Sequence, residues 1–127
     1  MKHWIQEVIR LNNHQTGHLS FVFCSDDYLL EVNKKFLNHD YYTDIITFDY
    51  NESTIISGDF IISIDRVKDN ALTHHCAFYK ELYRVIIHGI LHLLGFSDKT
   101  EIQQKKMRLL EDRYLAQLVE YQHLTNQ

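Results

Sequence analysis

The stretch Val85-Ile-Ile-His-Gly-Ile-Leu-His-Leu-Leu-Gly-Phe-Ser-Asp98 carries the strongest structural and chemical signal in the chain. Because an α-helix repeats every 3.6 residues, His88 and His92 lie one turn apart on the same face. Gly95 follows them and readily takes the left-handed conformation that ends a helix and turns the chain back. The returning chain can bring the Asp98 carboxylate toward the two imidazoles. The spacing therefore predicts a metal site with His88, His92 and Asp98 as its three ligands.

Length and composition indicate one globular domain over residues 1–127. A chain of 127 residues, 45% hydrophobic and 24% charged, has an ordinary composition and buries about two-thirds of its unfolded surface. The longest apolar stretch is shorter than the roughly 20 residues of a membrane span, and the first residues lack the apolar core of a signal peptide. We therefore expect a cytoplasmic protein without a membrane partner.

The formal net charge of -4 argues mildly against a nucleic-acid partner. Proteins that bind nucleic acids normally show a basic surface for phosphates. Basic residues cluster at Lys34-Lys35 and at 105–108, but runs of this kind are more often solvated helix faces. Composition alone therefore identifies no RNA-binding surface.

The apolar patterns predict an α+β fold in which a small mixed sheet of about four strands is covered by about five helices. Gly58 indicates either a bulge or a break between two short strands. The helix with the two histidines is apolar almost all around its axis and should therefore be central. In chain order, the predicted elements are a helix over 3–12, a strand over 19–24, a helix over 26–37, strands over 44–50 and 54–64, and helices up to about 76, over 79–94 and from 100 onward.

The last helix is predicted to begin with a capping box, Thr100-x-x-Gln103. Its apolar residues recur with helical spacing and predict the face that packs inward. The members of that predicted inner stripe are Ile102, Leu109, Leu110, Tyr114, Leu118 and Tyr121.

The surroundings of the two histidines favour metal binding over a purely structural role. Gly89 lies inside the helix, where it costs about 1 kcal/mol relative to alanine, so the close approach of another segment or of a ligand would explain it. The spacing HxxxHxxGxxD matches that of zinc peptidases, in which the third ligand arrives through a glycine turn. Those peptidases carry their general base, a glutamate, directly after the first histidine, where this chain has Gly89. A peptidase is therefore a weak interpretation.

The same stretch resembles the bacterial YbeY endoribonucleases, whose pattern is HGxLHLxGyDH. Residues 88–98 align with this pattern in register. The resemblance extends over nearly the whole chain from about residue 19. The other matching segments are Val32-Asn33 with the family's LN, 43–48 with its TDVLSF, 58–63 with its GDI strand, and Met107 and Glu111 with its last helix.

The resemblance implies a single-strand-specific, metal-dependent endoribonuclease. It implies a role in ribosomal RNA maturation, notably at the 3′ end of the small-subunit rRNA, and in ribosome quality control. The expected partners are single-stranded RNA and the small ribosomal subunit with its assembly proteins. The expected cofactor is one zinc ion or another divalent transition metal, held in a small mixed sheet surrounded by helices.

The chain departs from the family pattern at the third metal ligand. Asp98 stands where the family has its third histidine, and Ser97 stands where the family has an aspartate. A carboxylate coordinates zinc at about 2.0–2.2 Å, so two histidines and one carboxylate form an ordinary catalytic set with an open position. The alternative is that Asp98 is a solvent-facing residue of a linker between helices.

A second departure affects RNA binding. Leu37 stands where the family's Asn-x-x-Tyr-Arg pattern has an arginine thought to contact RNA. A phosphate needs a positive donor but not specifically a guanidinium. The candidates for this role are Lys34, Lys35, Arg66 and Lys99.

The residue that moves protons is left open by the sequence. Asp59, Asp44 and Thr43 are candidates because the family fold places their segments near the cleft, and each is equally well explained as a turn or strand-end residue. Three rival functions also stay open: a non-catalytic, metal-containing ribosome-assembly factor, a non-haem iron enzyme with a two-histidine, one-carboxylate site, and a metallopeptidase.

Overall fold

The computed structural model describes residues 1–125, with side chains for residues 1–119, and this part of the chain forms five helices and three strands. The predicted α+β class is confirmed. No helix within the described residues is long and apolar enough to cross a bilayer. In chain order the elements are α1 (Lys2–Leu11), β1 (Gln15–Cys24), α2 (Asp26–Leu37), β2 (Ile45–Asp49), β3 (Ile55–Ser63), α3 (Ile64–Thr73), α4 (Phe78–Leu93) and α5 (Glu101–Thr125).

The mixed sheet has the order β1-β3-β2, with β1 parallel and β2 antiparallel to the central strand β3. The expected count of about four strands was wrong, because β3 runs unbroken through Gly58. The irregularity lies in β1 instead, between Thr16 and Leu19. A Cβ atom on Gly58 would lie 2.6 Å from the carbonyl oxygen of Phe48, so this glycine permits a close contact with β2 and does not end a strand.

Helices cover both faces of the sheet. On one face, α2 packs Leu29 and Val32 against Ile46 of β2. On the other face, α1, α4 and α5 share the main core with β3, and α4 lies at its centre. The residues of α4 that are fully buried are Ile86, Ile87, Ile90 and Leu91. This burial agrees with the predicted central position of the helix that carries His88 and His92.

Gly89 is a point at which side chains of the sheet approach the backbone of α4 closely. A Cβ atom at this position would lie 2.9 Å from the Cδ1 atoms of both Ile45 and Phe60. The close approach that the sequence suggested therefore comes from the sheet. It fixes the distance between the strands and the helix that carries His88 and His92.

The capping box of α5 is confirmed, but its predicted inner face is partly wrong. The backbone N–H of Gln103 donates to Thr100 Oγ1 at 3.1 Å, and the N–H of Thr100 donates to Gln103 Oε1 at 3.1 Å. Ile102 and Leu109 are 81% and 70% exposed, because the helix turns a different face inward. That buried face consists of Met107, Glu111, Tyr114, Leu115 and Leu118. Tyr121 lies outside the described side chains.

We predict that Gly89→Val destabilises the fold by about 2 kcal/mol, because the new side chain must displace Ile45 and Phe60 in a close-packed core. Urea unfolding followed by circular dichroism measures the free energy of unfolding. Lys80→Val is the matched control, since it places the same side chain at an exposed position of the same helix. Equal unfolding free energies for the two variants would contradict the packing role of Gly89.

Candidate metal centre

The three predicted ligands converge on one point. The Nε2 atoms of His88 and His92 are 3.0 Å apart, and Asp98 Oδ2 lies 3.4 Å from the first and 3.5 Å from the second. Ligand atoms about 2.1 Å from a tetrahedral ion lie roughly 3.4 Å from one another. The spacing of two imidazole nitrogens and one carboxylate oxygen therefore fits a single divalent ion, and this group is placed to hold one.

The turn after α4 delivers Asp98 to the histidines. Gly95 has a φ of +103°, which side chains rarely tolerate, and no atom lies within 4 Å of the Cβ it lacks, so the requirement is conformational. The backbone N–H groups of Gly95 and Phe96 donate to the carbonyl oxygens of His92 and Leu91, each at 3.0 Å. These bonds close the helix end and reverse the chain.

Glu111 of α5 orients the first histidine from behind. The Nδ1 atom of His88 lies 2.7 Å from Glu111 Oε2, and Arg84 Nη1 donates to Glu111 Oε1 at 3.0 Å. With Nδ1–H donated to the carboxylate, the lone pair of Nε2 points to the centre, as in many metal sites. The sequence did not reveal this role. The pattern that could have indicated this role is the position of Glu111 one helical turn after Met107, on the buried face of α5.

Nearby charges separate the pKa values of the two histidines. Burial alone lowers the pKa of His88, but the hydrogen bond and charge of Glu111, with the charges of Asp44 and Asp98, outweigh it and leave that pKa raised. Burial and the charge of His88 lower the pKa of His92. The anionic surroundings that favour a proton on His88 also favour a cation, so proton and metal compete for its Nε2.

The centre lies where two cavities meet. Asp44, His88 and Asp98 line both of them. The α5-side cavity has a volume of about 330 Å³, and the α2-side cavity about 650 Å³. The α5-side cavity is also lined by Asn70, His74, Glu81, Arg84, Val85, Gln104, Met107, Arg108 and Glu111. The α2-side cavity is also lined by Asn33, Leu37, His39, Tyr41, Thr43, Ile45, Ile46, Thr47 and His92.

The structure brings two of the three proton-transfer candidates to the centre. Asp44 lines both cavities and accepts a hydrogen bond from Asn70 Nδ2 at 3.3 Å, and burial raises the pKa of its carboxyl group. Thr43 lines the α2-side cavity. Asp59 lies on the opposite face of the sheet, because its neighbour Phe60 packs against α4 and successive strand residues alternate. Its carboxylate accepts a hydrogen bond from Tyr50 Oη at 3.2 Å.

None of the four RNA-binding candidates lines either cavity. Lys34 lies 3.5 Å from Asp40 Oδ1, and Lys35 Nζ lies 5.4 Å from the ring centroid of Phe36. Leu37, the position of the family's arginine, does line the α2-side cavity.

The other two candidates are held by their own neighbours. Arg66 Nη2 donates to Asp26 Oδ2 at 2.7 Å and thereby joins α3 to α2. Lys99 follows Asp98 directly, and its backbone N–H donates to Gln103 Oε1 at 3.1 Å. Lys99 is thus the candidate nearest in sequence to a predicted metal ligand.

Comparison with known proteins identifies a family for this chain. The sequence matches the family described as Endoribonuclease YbeY over residues 1–119. The chain belongs to the YbeY family. An Endoribonuclease YbeY from Parabacteroides distasonis is 52% identical over 117 residues, which cover 92% of this chain and 82% of the relative. One from Phocaeicola vulgatus is 50% identical over 113 residues, covering 89% and 82%.

A solved structure shares the YbeY-like fold. The solution structure of a Thermotoga maritima protein superposes with a TM-score of 0.64 at 28% identity, covering 94% of this chain and 82% of that one. Membership in the YbeY family identifies the chain as an RNA-cleaving hydrolase. Within the described residues, His88, His92 and Asp98 form a group that could hold a metal ion.

We predict that Glu111→Gln weakens metal binding about ten- to hundred-fold, because the amide no longer favours the His88 tautomer that points Nε2 at the ion. Competition with a chromophoric chelator measures the zinc dissociation constant. Asp112→Asn is the matched control. Asp112 also accepts a hydrogen bond from Arg84, at 2.7 Å, but has 55% of its side chain exposed. An equal loss of affinity in both variants would contradict the orienting role of Glu111.

Proposed function

We propose that the chain is a single-domain, metal-dependent, single-strand-specific endoribonuclease of the cytoplasm. Its role is the maturation of small-subunit ribosomal RNA at the 3′ end and ribosome quality control, with the small subunit and its assembly proteins as partners. The observation that carries the proposal is the convergence of His88, His92 and Asp98 at the junction of two cavities. Membership in an endoribonuclease family supports RNA as the substrate.

One zinc ion is the proposed cofactor. Two imidazoles and one carboxylate are a common catalytic zinc set that keeps a position open. When bound, the ion supplies a Lewis acid for a phosphate oxygen and lowers the pKa of coordinated water. Since Asp98 brings a negative charge where the resemblance places a neutral histidine, it reduces the net positive charge of the centre. We therefore expect either a higher pH optimum than with three histidines, or the use of another divalent transition metal.

The charges around the centre explain why RNA binding should depend on a metal. Four carboxylates line the α5-side cavity, and two of them also line the α2-side cavity. Two arginines, Arg84 and Arg108, also line the α5-side cavity. Arg84 is already paired with Glu111 and Asp112. A phosphodiester is repelled by such a surface unless a cation is added. Metal-dependent RNA binding is thus a consequence of the anionic lining.

Asp44 is the proposed proton-transfer residue. It lines both cavities beside His88, and a carboxyl group at this position can accept or donate a proton. Burial raises the pKa of this carboxyl group. Asn70 Nδ2 donates to its Oδ2, which fixes the orientation of the carboxyl group.

The shape of the site supports single-stranded RNA as the substrate. The centre is reached from two clefts of about 330 and 650 Å³ that meet at His88 and Asp98. An extended strand can pass from one cleft to the other with a phosphate at the centre. A stacked A-form duplex is wider and keeps its strands paired, so it fits this path less well.

We predict that Asp98→Ala loses both bound zinc and cleavage of single-stranded RNA, because one of three ligand atoms is removed. Zinc is quantified by mass spectrometry after purification without added metal, and RNA cleavage is measured on the same samples. Asp98→His is the matched variant, since it restores a neutral ligand, and it should retain both metal and cleavage.

Several outcomes would contradict the proposal. Full metal content and normal cleavage in Asp98→Ala would remove Asp98 from the site. Metal-loaded wild type that leaves RNA intact would favour a non-catalytic assembly factor. Bound iron with oxygen consumption would indicate a non-haem iron enzyme, and hydrolysis of an unfolded protein substrate would indicate a peptidase.

We predict that Asp44→Asn lowers the rate of cleavage by about 10²–10⁴-fold while zinc content stays unchanged, because an amide cannot exchange the proton. Single-turnover cleavage of a labelled RNA measures the rate. Asp59→Asn is the matched control, since this aspartate lies on the opposite face of the sheet and should leave the rate unchanged. A rate for Asp44→Asn within a few-fold of wild type would exclude Asp44 as the proton-transfer residue.

A further inference from the structure

The α2-side cavity has an unusual lining for a site that takes RNA. Within the described residues, no lysine or arginine lines it. Leu37, an aliphatic residue, is part of the lining. Away from the metal centre, this cavity therefore offers RNA no contact with a lysine or arginine side chain.

Two aromatic rings at the cavity wall offer that contact. His39 and Tyr41 line the α2-side cavity and stack on each other, with ring centroids 5.1 Å apart and an interplanar angle of 20°. Tyr41 Oη and His39 Nδ1 are 3.0 Å apart, within hydrogen-bond distance. Both side chains are exposed, Tyr41 to 55%. A further flat ring can stack on this pair from the solvent side.

The loop that carries the pair is anchored by a buried amide. Asn33 is 1% exposed, and its Nδ2 donates to the carbonyl oxygen of Tyr41 at 2.9 Å. The backbone carbonyl oxygen of Asn33 accepts the backbone N–H of His39 at 3.1 Å. Asn38, with a φ of +55°, turns the chain at the end of α2. Both ring-bearing residues are thus tied to Asn33, Tyr41 through the side-chain amide and His39 through the backbone carbonyl, which reduces the ordering cost of binding.

We propose that His39 and Tyr41 form a stacking subsite for a nucleobase of single-stranded RNA, next to the phosphate at the metal centre. The inference rests on the proposed endoribonuclease function. Base–aromatic stacking tolerates any sequence, because every base has a flat face, and it is a common means of holding single strands. It requires an unpaired base. The subsite therefore selects single-stranded over double-stranded substrate.

The test compares three variants. Tyr41→Leu removes the ring and should weaken binding of a labelled single-stranded RNA oligonucleotide about ten-fold. Tyr41→Phe keeps the ring and should bind within two-fold of wild type. Tyr28→Leu is the matched control, since Tyr28 is also 55% exposed but lines neither cavity. Binding is measured by fluorescence anisotropy, and cleavage and zinc content are measured on the same samples.

A second measurement identifies the contact as stacking. The oligonucleotide carries one abasic nucleotide, moved along its length. For wild type, one position should weaken binding about ten-fold, and for Tyr41→Leu that position should have no effect. Equal binding by Tyr41→Leu and wild type, or the same abasic penalty in both, would overturn the subsite.

Failure of the proposed endoribonuclease function can be distinguished from failure of the stacking subsite. Wild type that binds the oligonucleotide without cutting it would refute the nuclease function, and the subsite would then be decided by the binding ratios alone. Wild type that binds no single-stranded RNA would overturn both.

Discussion

The buried carboxylate of Glu111 is the group on which the arrangement of the centre depends. It is 6% exposed and lies between Arg84 and His88 of α4, so both of its oxygens are paired across the interface of two helices. A buried charge left without partners is strongly destabilising. The same carboxylate therefore holds α5 against α4 and orients the imidazole of His88. A side chain that orients a ligand here also joins two helices of the core.

The sequence was sufficient for the fold class and for the grouping of His88, His92 and Asp98, because both depend largely on local patterns. α2 has the predicted bounds, and the spacing of His88, His92, Gly95 and Asp98 was enough to bring the three ligand atoms together. The strand count failed at Gly58, where the reason for glycine is the carbonyl oxygen of Phe48 on another strand. That contact joins two different strands, so no pattern of neighbouring residues in the sequence indicates it.

The buried face of α5 and the role of each aspartate also depended on tertiary contacts. A charged residue, Glu111, occupies the inner face of α5, so apolar periodicity selected Ile102 and Leu109, which are exposed. Asp44 and Asp59 looked equivalent in sequence. They differ because β3 turns Phe60 toward α4 and Asp59 away, and the sequence alone does not say which face of a strand meets the helix that carries His88 and His92.

If His88, His92 and Asp98 hold a metal ion, the position of Asp98 would link metal occupancy to the stability of the fold. His88 and His92 belong to α4, whose inner residues are fully buried, whereas Asp98 lies in the short connection before the capping box of α5. An ion held by all three crosslinks a rigid element to a loop whose other end starts the C-terminal helix. Since a ligand that binds only the folded state stabilises it by mass action, thermal stability should rise with free metal concentration. Metal supply would then influence the lifetime of the protein as well as its activity.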